Sequence, residues 1–363
     1  MNVQSGPAGA SSAKLTPRPP LWLFGWWAAG RVIVLVTALS TATAIRFRDS
    51  DGSWYREVAR SGYLVVAGRW SDTAFFPFYP ILLRAVHALG VGWDVVGPLV
   101  SNLALLFGLG LFYLLTRELF DADLARRAAT YLAIFPLGYV FSMTYPESVV
   151  LVLVAAAPLA ALRRRWWLAA ICAAAATLAR PEGIFIALPL AGIAWKQRRS
   201  LTNVQGGAAL AAVLAPFAAL ASFSFYLGTI VHDPLAWSHA QSAWGRQFRI
   251  SGAVQAFAHL PAALTQNPWL ARDLACFFLY LGLLYAASRL GTPITWLAAA
   301  AAVVVLPVFT GTFQSLSRFG LLAPPLFWGL ASLGKNPTAN RALQAGSLLL
   351  LIVGTISVAY AFP

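Results

Sequence analysis

Apolar runs of roughly 15 to 25 residues, the length needed to cross a hydrocarbon core, recur about eleven times along this chain. They lie at 21–45, 95–116, 128–143, 148–162, 166–179, 184–195, 206–230, 270–288, 292–310, 319–333 and 342–361. A helix that is apolar all round offers water no polar face, so lipid or neighbouring helices must cover it. In lipid every backbone polar group also needs an internal partner, which helices supply within one segment. The pattern predicts an all-α polytopic membrane protein of about eleven transmembrane helices, the shorter runs being tilted or re-entrant. Composition agrees, since only 10% of residues are charged, against about 25% in soluble domains.

The net charge of +14 would fit a nucleic-acid partner if it lay along one soluble face, but it does not. Lys14 and Arg18, Arg117 with Arg126 and Arg127, Arg163-Arg164-Arg165, Lys196 with Arg198 and Arg199, Arg289, and Lys335 with Arg341 fall on alternate loops. Such clusters mark the cytoplasmic side, so the expectation is a plasma (inner) membrane protein with its N-terminus inside. Residues 1–20 are expected to form a disordered cytoplasmic tail, and 21–363 a single multi-pass domain. Two long segments, 46–94 and 231–269, then face outward and carry half of the twelve acids, among aromatic residues. Within the first, 53–61 and 81–89 are expected to be interfacial amphipathic helices. Cys172 and Cys276 lie inside apolar runs, which argues against a disulfide framework or a zinc site.

The outward segment 46–80, RFRDSDGSWYREVARSGYLVVAGRWSDTAFFPFYP, departs most from its apolar surroundings. A carboxylate there, Asp49 or Asp51, can take a proton from an acceptor hydroxyl as that hydroxyl attacks. The structural alternative is a turn at Asp51-Gly52 with Asp49 capping the next helix. A Mg or Mn ion shared by Asp49 and Asp51 is conceivable, but no further ligand cluster accompanies them.

Several motifs resemble those of the PIG-V family of mannosyltransferases, in order and over nearly the whole chain. They are Asp51-Gly52-Ser53-Trp54-Tyr55; Val58-Ala59 with Ser61-Gly62-Tyr63; Phe75-Phe76-Pro77-Phe78-Tyr79-Pro80; and Ser142-Met143-Thr144-Tyr145-Pro146-Glu147-Ser148. Arg180-Pro181-Glu182-Gly183, His232-Asp233-Pro234-Leu235-Ala236-Trp237, Ala240-Gln241, Trp244-Gly245-Arg246, and Ser317-Arg318-Phe319 followed by Pro324 complete the set. The resemblance implies a GT-C fold and an inverting transfer of mannose from a polyprenyl-phosphate donor. The acceptor would be lipid- or protein-linked, at the extracytoplasmic face. It also implies an acidic base in the first outer loop. The family usually has Trp before this acid and here it is Ser50, so Asp49 stays beside Asp51 as a candidate, with Gly52 and Trp54-Tyr55 favouring Asp51.

A departing lipid phosphate suits bidentate guanidinium pairing, and Arg246, Arg318, Arg180 and Arg56 are the candidates. Snorkelling to headgroups is the alternative for each. Trp54, Tyr55, Tyr79, Trp237, Gln241 and Trp244 are candidates for holding sugar or prenyl chain, although interfacial belts also enrich Trp and Tyr. His232 and Asp233 could orient donor or acceptor, or form a turn at Asp233-Pro234. Glu147 suits a helix N-terminus and, with Glu182, is expected to support the site from behind. Arg31, midway along the first apolar run, needs a partner or a polar cavity. No cofactor is expected, since no glycine-rich phosphate loop appears. The rival readings are a transporter or flippase of a polyprenyl-linked sugar, and a non-catalytic scaffold.

Overall fold

The computed structural model describes residues 19–63 and 72–360. Most of the expected tail, 1–18, lies outside the described residues, as do 64–71 and 361–363. The architecture is all-α. Its first part comprises α1 (Trp22–Ser40), α2 (Arg46–Ser61), α3 (Phe78–His87), α4 (Trp93–Leu119), α5 (Ala122–Ala133) and α6 (Glu147–Leu162). There follow α7 (Trp166–Ala179), α8 (Ala187–Gln197), α9 (Asn203–Val231), α10 (Ala236–His239), α11 (Gly252–Ala258) and α12 (Leu260–Gln266). The last are α13 (Leu270–Arg289), α14 (Ile294–Val305), α15 (Leu316–Phe319), α16 (Pro324–Leu333) and α17 (Pro337–Ser357).

Five of these helices, α1, α4, α9, α13 and α17, are long and apolar enough to span a membrane. The others expected from apolar runs are shorter, and proline explains several. Over 128–143 the helix stops at Ala133, and after Pro136 the chain closes a 3-10 turn at Gly138–Ser142. Proline has no N–H for the helical ladder and disfavours helical geometry in the residue before it. Pro181 likewise opens a 3-10 turn, Pro181–Ile186, ahead of α8, and Pro324 starts α16 afresh.

Where helices begin cleanly, the local chemistry is readable. Thr202 and Gln205 form a reciprocal capping box at the head of α9, each contact 3.3 Å. Asp121 caps α5 by accepting from the Leu124 N–H at 2.7 Å. In the centre α4, α6, α7 and α9 pack side by side. Small side chains let α7 approach closely, with Ala169, Ala173 and Ala176 fully buried.

The bundle is polarised end to end. At one end Arg163 pairs with Glu118 at 3.1 Å, and Arg164 donates to the Ser200 carbonyl at 3.0 Å. There too Arg127 donates to the Ala331 carbonyl at 3.0 Å, and Tyr131 to Asn340 at 2.7 Å. These contacts gather the basic ends of α4, α6, α8 and α16. The opposite ends of α6, α7 and α9 carry Glu147, Arg180 and the segment after Val231, about 24 Å away by the rise of α6.

Arg31 is buried in α1 and donates to the Gly138 carbonyl at 2.9 Å and Ser142 Oγ at 2.7 Å. Its partners are neutral acceptors on the turn that follows α5. Arg31 therefore ties α1 to that turn, as the cost of an unpaired intramembrane charge requires.

Candidate active site

α2 runs without a break from Arg46 to Ser61, so Asp51-Gly52 is helix interior and not a turn. Residues three and four apart share a face of a helix, whereas residues two apart point about 200° away from each other. Asp51, Trp54 and Tyr55 accordingly face inward, and Asp49 faces out. Two close approaches fix this orientation. Thr144 is wedged between α2 and α4, where a Cβ on either Gly52 or Gly97 would come within 2.7 Å of the Thr144 Cβ. The Thr144 N–H also donates to the Phe47 carbonyl at 2.9 Å.

The inward face of α2 closes one wall of a cavity of about 1090 Å³, on the large side for a small-molecule site. Of the residues expected from sequence, Asp51, Trp54, Tyr55, Arg180, Trp237, Gln241, Trp244, Arg246 and Arg318 line it, and so does Glu182, which was expected behind the wall. Thus the segments 46–94 and 231–269, together with the ends of α7 and α15, build one space.

A chain of ion pairs crosses its floor. Arg318 Nη1 donates to Asp51 Oδ2 at 3.0 Å, and Arg318 Nε lies 3.8 Å from Glu147 Oε1. The same Glu147 oxygen accepts from Arg180. Arg180 then reaches Glu182 with two bonds, Nε to Oε2 at 3.0 Å and Nη2 to Oε1 at 3.1 Å. Glu147 is fully buried at the first turn of α6, where the helix dipole favours its charge. It lies behind the cavity wall and fixes two guanidiniums at once.

Electrostatics separate the cations. Burial disfavours the charge on Arg318, but Asp51 and Glu147 outweigh it and hold its pKa above the ordinary value. Burial acts on Arg180 in the same way, and Glu182 and Glu147 again outweigh it. Glu182, for its part, is pushed up by burial but held below the usual carboxylate range by Arg180. Arg246 differs. Burial, with Arg318 adding repulsion, pushes its pKa down to about 10. Its contacts are the Gln314 carbonyl at 3.3 Å and Ser315 Oγ at 2.9 Å, and its buried Nε has no hydrogen-bond partner among the described residues. With three carboxylates against Arg318 and Arg180, Arg246 brings the formal charge to zero. An arriving anion would satisfy this cation, which has no carboxylate partner among the described residues.

Other expected residues lie elsewhere. Asp49 pairs with Arg56 at 3.0 Å on the outward face of α2, and Arg56 also reaches Asp94, in the first turn of α4, at 3.5 Å. Asp49 and Asp51 therefore do not form a joint ligand pair. Among the described residues no group of three or more His, Cys, Asp or Glu could hold a metal. Tyr79 is buried behind the wall, bonded to Ser101 Oγ at 2.9 Å and packed edge-on against Tyr55. His232 is exposed at the end of α9 in left-handed backbone. Asp233 caps the next turn and pairs with His239 at 2.7 Å, a hydrogen bond that lowers its pKa.

The structure adds groups that the sequence reading does not single out. His239, Ser315, Phe75 and Phe76 line the cavity. Asp273, buried in the first turn of α13, accepts from the Ser315 N–H at 3.0 Å and the Ser317 N–H at 3.1 Å. An acid inside an apolar run is costly unless it is satisfied, and that signal is legible at 270–288.

No protein-family model matches the chain, and no curated protein matches it. Among solved structures, ArnT from Cupriavidus metallidurans bound to undecaprenyl phosphate is similar, with a TM-score of 0.53 and 16% identity. That match covers 90% of this chain and 62% of ArnT, so the chain spans less than two thirds of that relative. The oligosaccharyltransferase of Archaeoglobus fulgidus in its apo form also matches, with a TM-score of 0.47, 14% identity, and coverage of 94% and 57%. The archaeal oligosaccharyltransferase AglB from the same organism, with an inhibitory peptide and a dolichol-phosphate, gives 0.43, 15%, 93% and 56%. The likeness to ArnT is one of fold.

Proposed function

We propose that this chain is an inverting glycosyltransferase of the GT-C type that moves a sugar from a polyprenyl-phosphate donor to an acceptor hydroxyl. One observation carries the reading: a carboxylate on Asp51 and the guanidinium of Arg246, which has no ion pair among the described residues, face the same large cavity. The fold relative ArnT, bound to undecaprenyl phosphate, supports a lipid phosphate as the anion that Arg246 awaits.

In the proposed reaction Asp51 accepts the proton of the acceptor hydroxyl as its oxygen attacks the anomeric carbon. The bond from that carbon to the phosphate oxygen breaks, and the phosphate leaves with the electron pair. Arg246 and Arg318 hold the developing charge with preorganised donors, while Arg180, fixed by two glutamates, adds positive potential behind them. Trp54, Trp237 and Trp244 offer faces against which a sugar can stack. A single carboxylate suffices, unlike the pair that glycoside hydrolysis uses.

The motif resemblance supports mannose as the sugar and a lipid- or protein-linked acceptor. The alternation of basic loops supports an eleven-pass arrangement with a cytoplasmic N-terminus and an extracytoplasmic cavity. The direct test incubates the purified chain with labelled polyprenyl-phosphate-mannose and solubilised membranes that supply both lipid and protein acceptors. Transfer of label to a lipid or protein is expected; a wild-type chain that neither transfers the label nor binds the donor would sink the reading.

A further inference from the structure

Two of the cations that line the cavity, Arg318 and Arg246, are positioned by one short turn, 314–318. Arg318 belongs to it, and Arg246 is anchored on it through the Gln314 carbonyl and Ser315 Oγ. The turn is not locally stable by itself. Ser315 sits at φ 62°, a left-handed conformation that a residue with a Cβ disfavours. Something outside the turn must hold it, and α13 does so at two points. Asp273 receives the Ser315 and Ser317 N–H groups, one on each carboxylate oxygen. About two turns further along the same helix, the Tyr280 hydroxyl donates to the Ser317 carbonyl. The Tyr280 ring also lies against Gly320, where no side chain could fit.

We infer that Asp273 is a positioning residue for the donor phosphate site: through the 314–318 turn it sets where both Arg318 and Arg246 point. Asp273 does not line the cavity. Its carboxylate is 3% exposed as a residue and accepts two backbone donors, so it acts through the turn and not on the ligand. Two acceptor oxygens are needed because the left-handed Ser315 turns its N–H and that of Ser317 toward the same side. Asparagine offers one acceptor and presents an N–H₂ to the other donor. The inference rests on the reading of Arg246 and Arg318 as the groups that hold phosphate.

The experiment measures undecaprenyl phosphate affinity of the full chain in detergent for wild type, Arg246→Ala, Asp273→Asn and the double variant. Wild type and Arg246→Ala establish the frame. If wild type does not bind, or Arg246→Ala binds equally well, the phosphate reading itself fails. With that frame intact, Asp273→Asn is expected to weaken binding about tenfold or more, the scale of a lost hydrogen bond to a charged group. The double variant should be weaker than Arg246→Ala by a smaller factor, because part of the effect passes through Arg246. A purely structural role for Asp273 would leave the two factors independent. Affinity of Asp273→Asn within about twofold of wild type, or full independence in the double variant, overturns the inference. Should Asp273→Asn fail to accumulate as folded protein, Tyr280→Phe removes the second anchor with little change in volume. Binding weakened about threefold then supports the positioning role, and unchanged binding overturns it.

Discussion

On the outward face of α2, Asp49 shares Arg56 with Asp94 in contact with solvent; on the inward face, Asp51 joins Arg318 and a buried chain of charges. The two acids stand two positions apart on one helix and have the same intrinsic chemistry. Only the inward one meets a cavity and a cation fixed from behind by another buried carboxylate. Helical phase decides which acid reaches the cavity, and ion pairing by itself does not mark a site. The outward pairs are the kind that salt screens and side-chain entropy weakens.

The largest expected effect tests that division directly. Asp51→Asn should lower transfer by about 10²- to 10⁴-fold, the range for loss of a general base, while Asp49→Asn stays within about twofold. The check is initial-rate transfer from labelled donor with both variants at matched protein levels. Equal losses in the two variants would break the comparison, and a loss confined to Asp49→Asn would invert it.

The second effect concerns the charge behind the inward face. Glu147 is fully buried and touches both Arg318 and Arg180. Glu147→Gln would leave two buried guanidiniums facing each other without the carboxylate between them. Breaking a buried pair in this way costs about 3–5 kcal/mol, so the melting temperature of the detergent-purified chain should fall sharply. An unchanged melting temperature would mean that water or lipid reaches this network and screens it.

The long helices follow from their apolar runs, and α7 occupies the expected 166–179. The runs at 128–143 and 319–333 gave shorter helices because prolines inside them interrupt the ladder. The phase of α2 was not legible. A helix expected to start at 53 leaves Asp49 and Asp51 on a loop, whereas one starting at Arg46 sets them on opposite faces. Motif order gathered Arg180, Arg246 and Arg318 as candidates, but no local rule links Asp51 to a residue 267 positions away. Asp273 is legible as an acid inside an apolar run, but nothing near it in sequence shows that it grips a turn 42 and 44 residues on.

A smaller effect appears with pH. Glu182 has its pKa held below the ordinary carboxylate value of 4.5 by Arg180, against the push of burial. A carboxylate lowered in the folded state contributes stability that is fully present above its unfolded pKa and lost as pH falls through the folded one. Melting temperature should therefore decline below about pH 4.5, and Glu182→Gln should flatten part of that acid limb. A variant whose acid limb overlays that of wild type would show that the Arg180–Glu182 pair does not couple to folding.

The smallest effect returns to the outward face. Arg56 was a candidate for holding phosphate, yet it faces away from the cavity and divides itself between Asp49 and Asp94. Those two acid side chains are 49% and 69% exposed, so water already solvates them well. Exposed pairs of this kind contribute about 0–1 kcal/mol, and Arg56→Ala should lower the melting temperature by only a degree or so. Raised salt should erase even that difference, because it screens the wild-type pairs first. Transfer and donor affinity should both stay at wild-type values. A loss of donor affinity in Arg56→Ala that approached that of Arg246→Ala would show that the phosphate reaches the outward face of α2, and the separation between its two acids would no longer explain which one works.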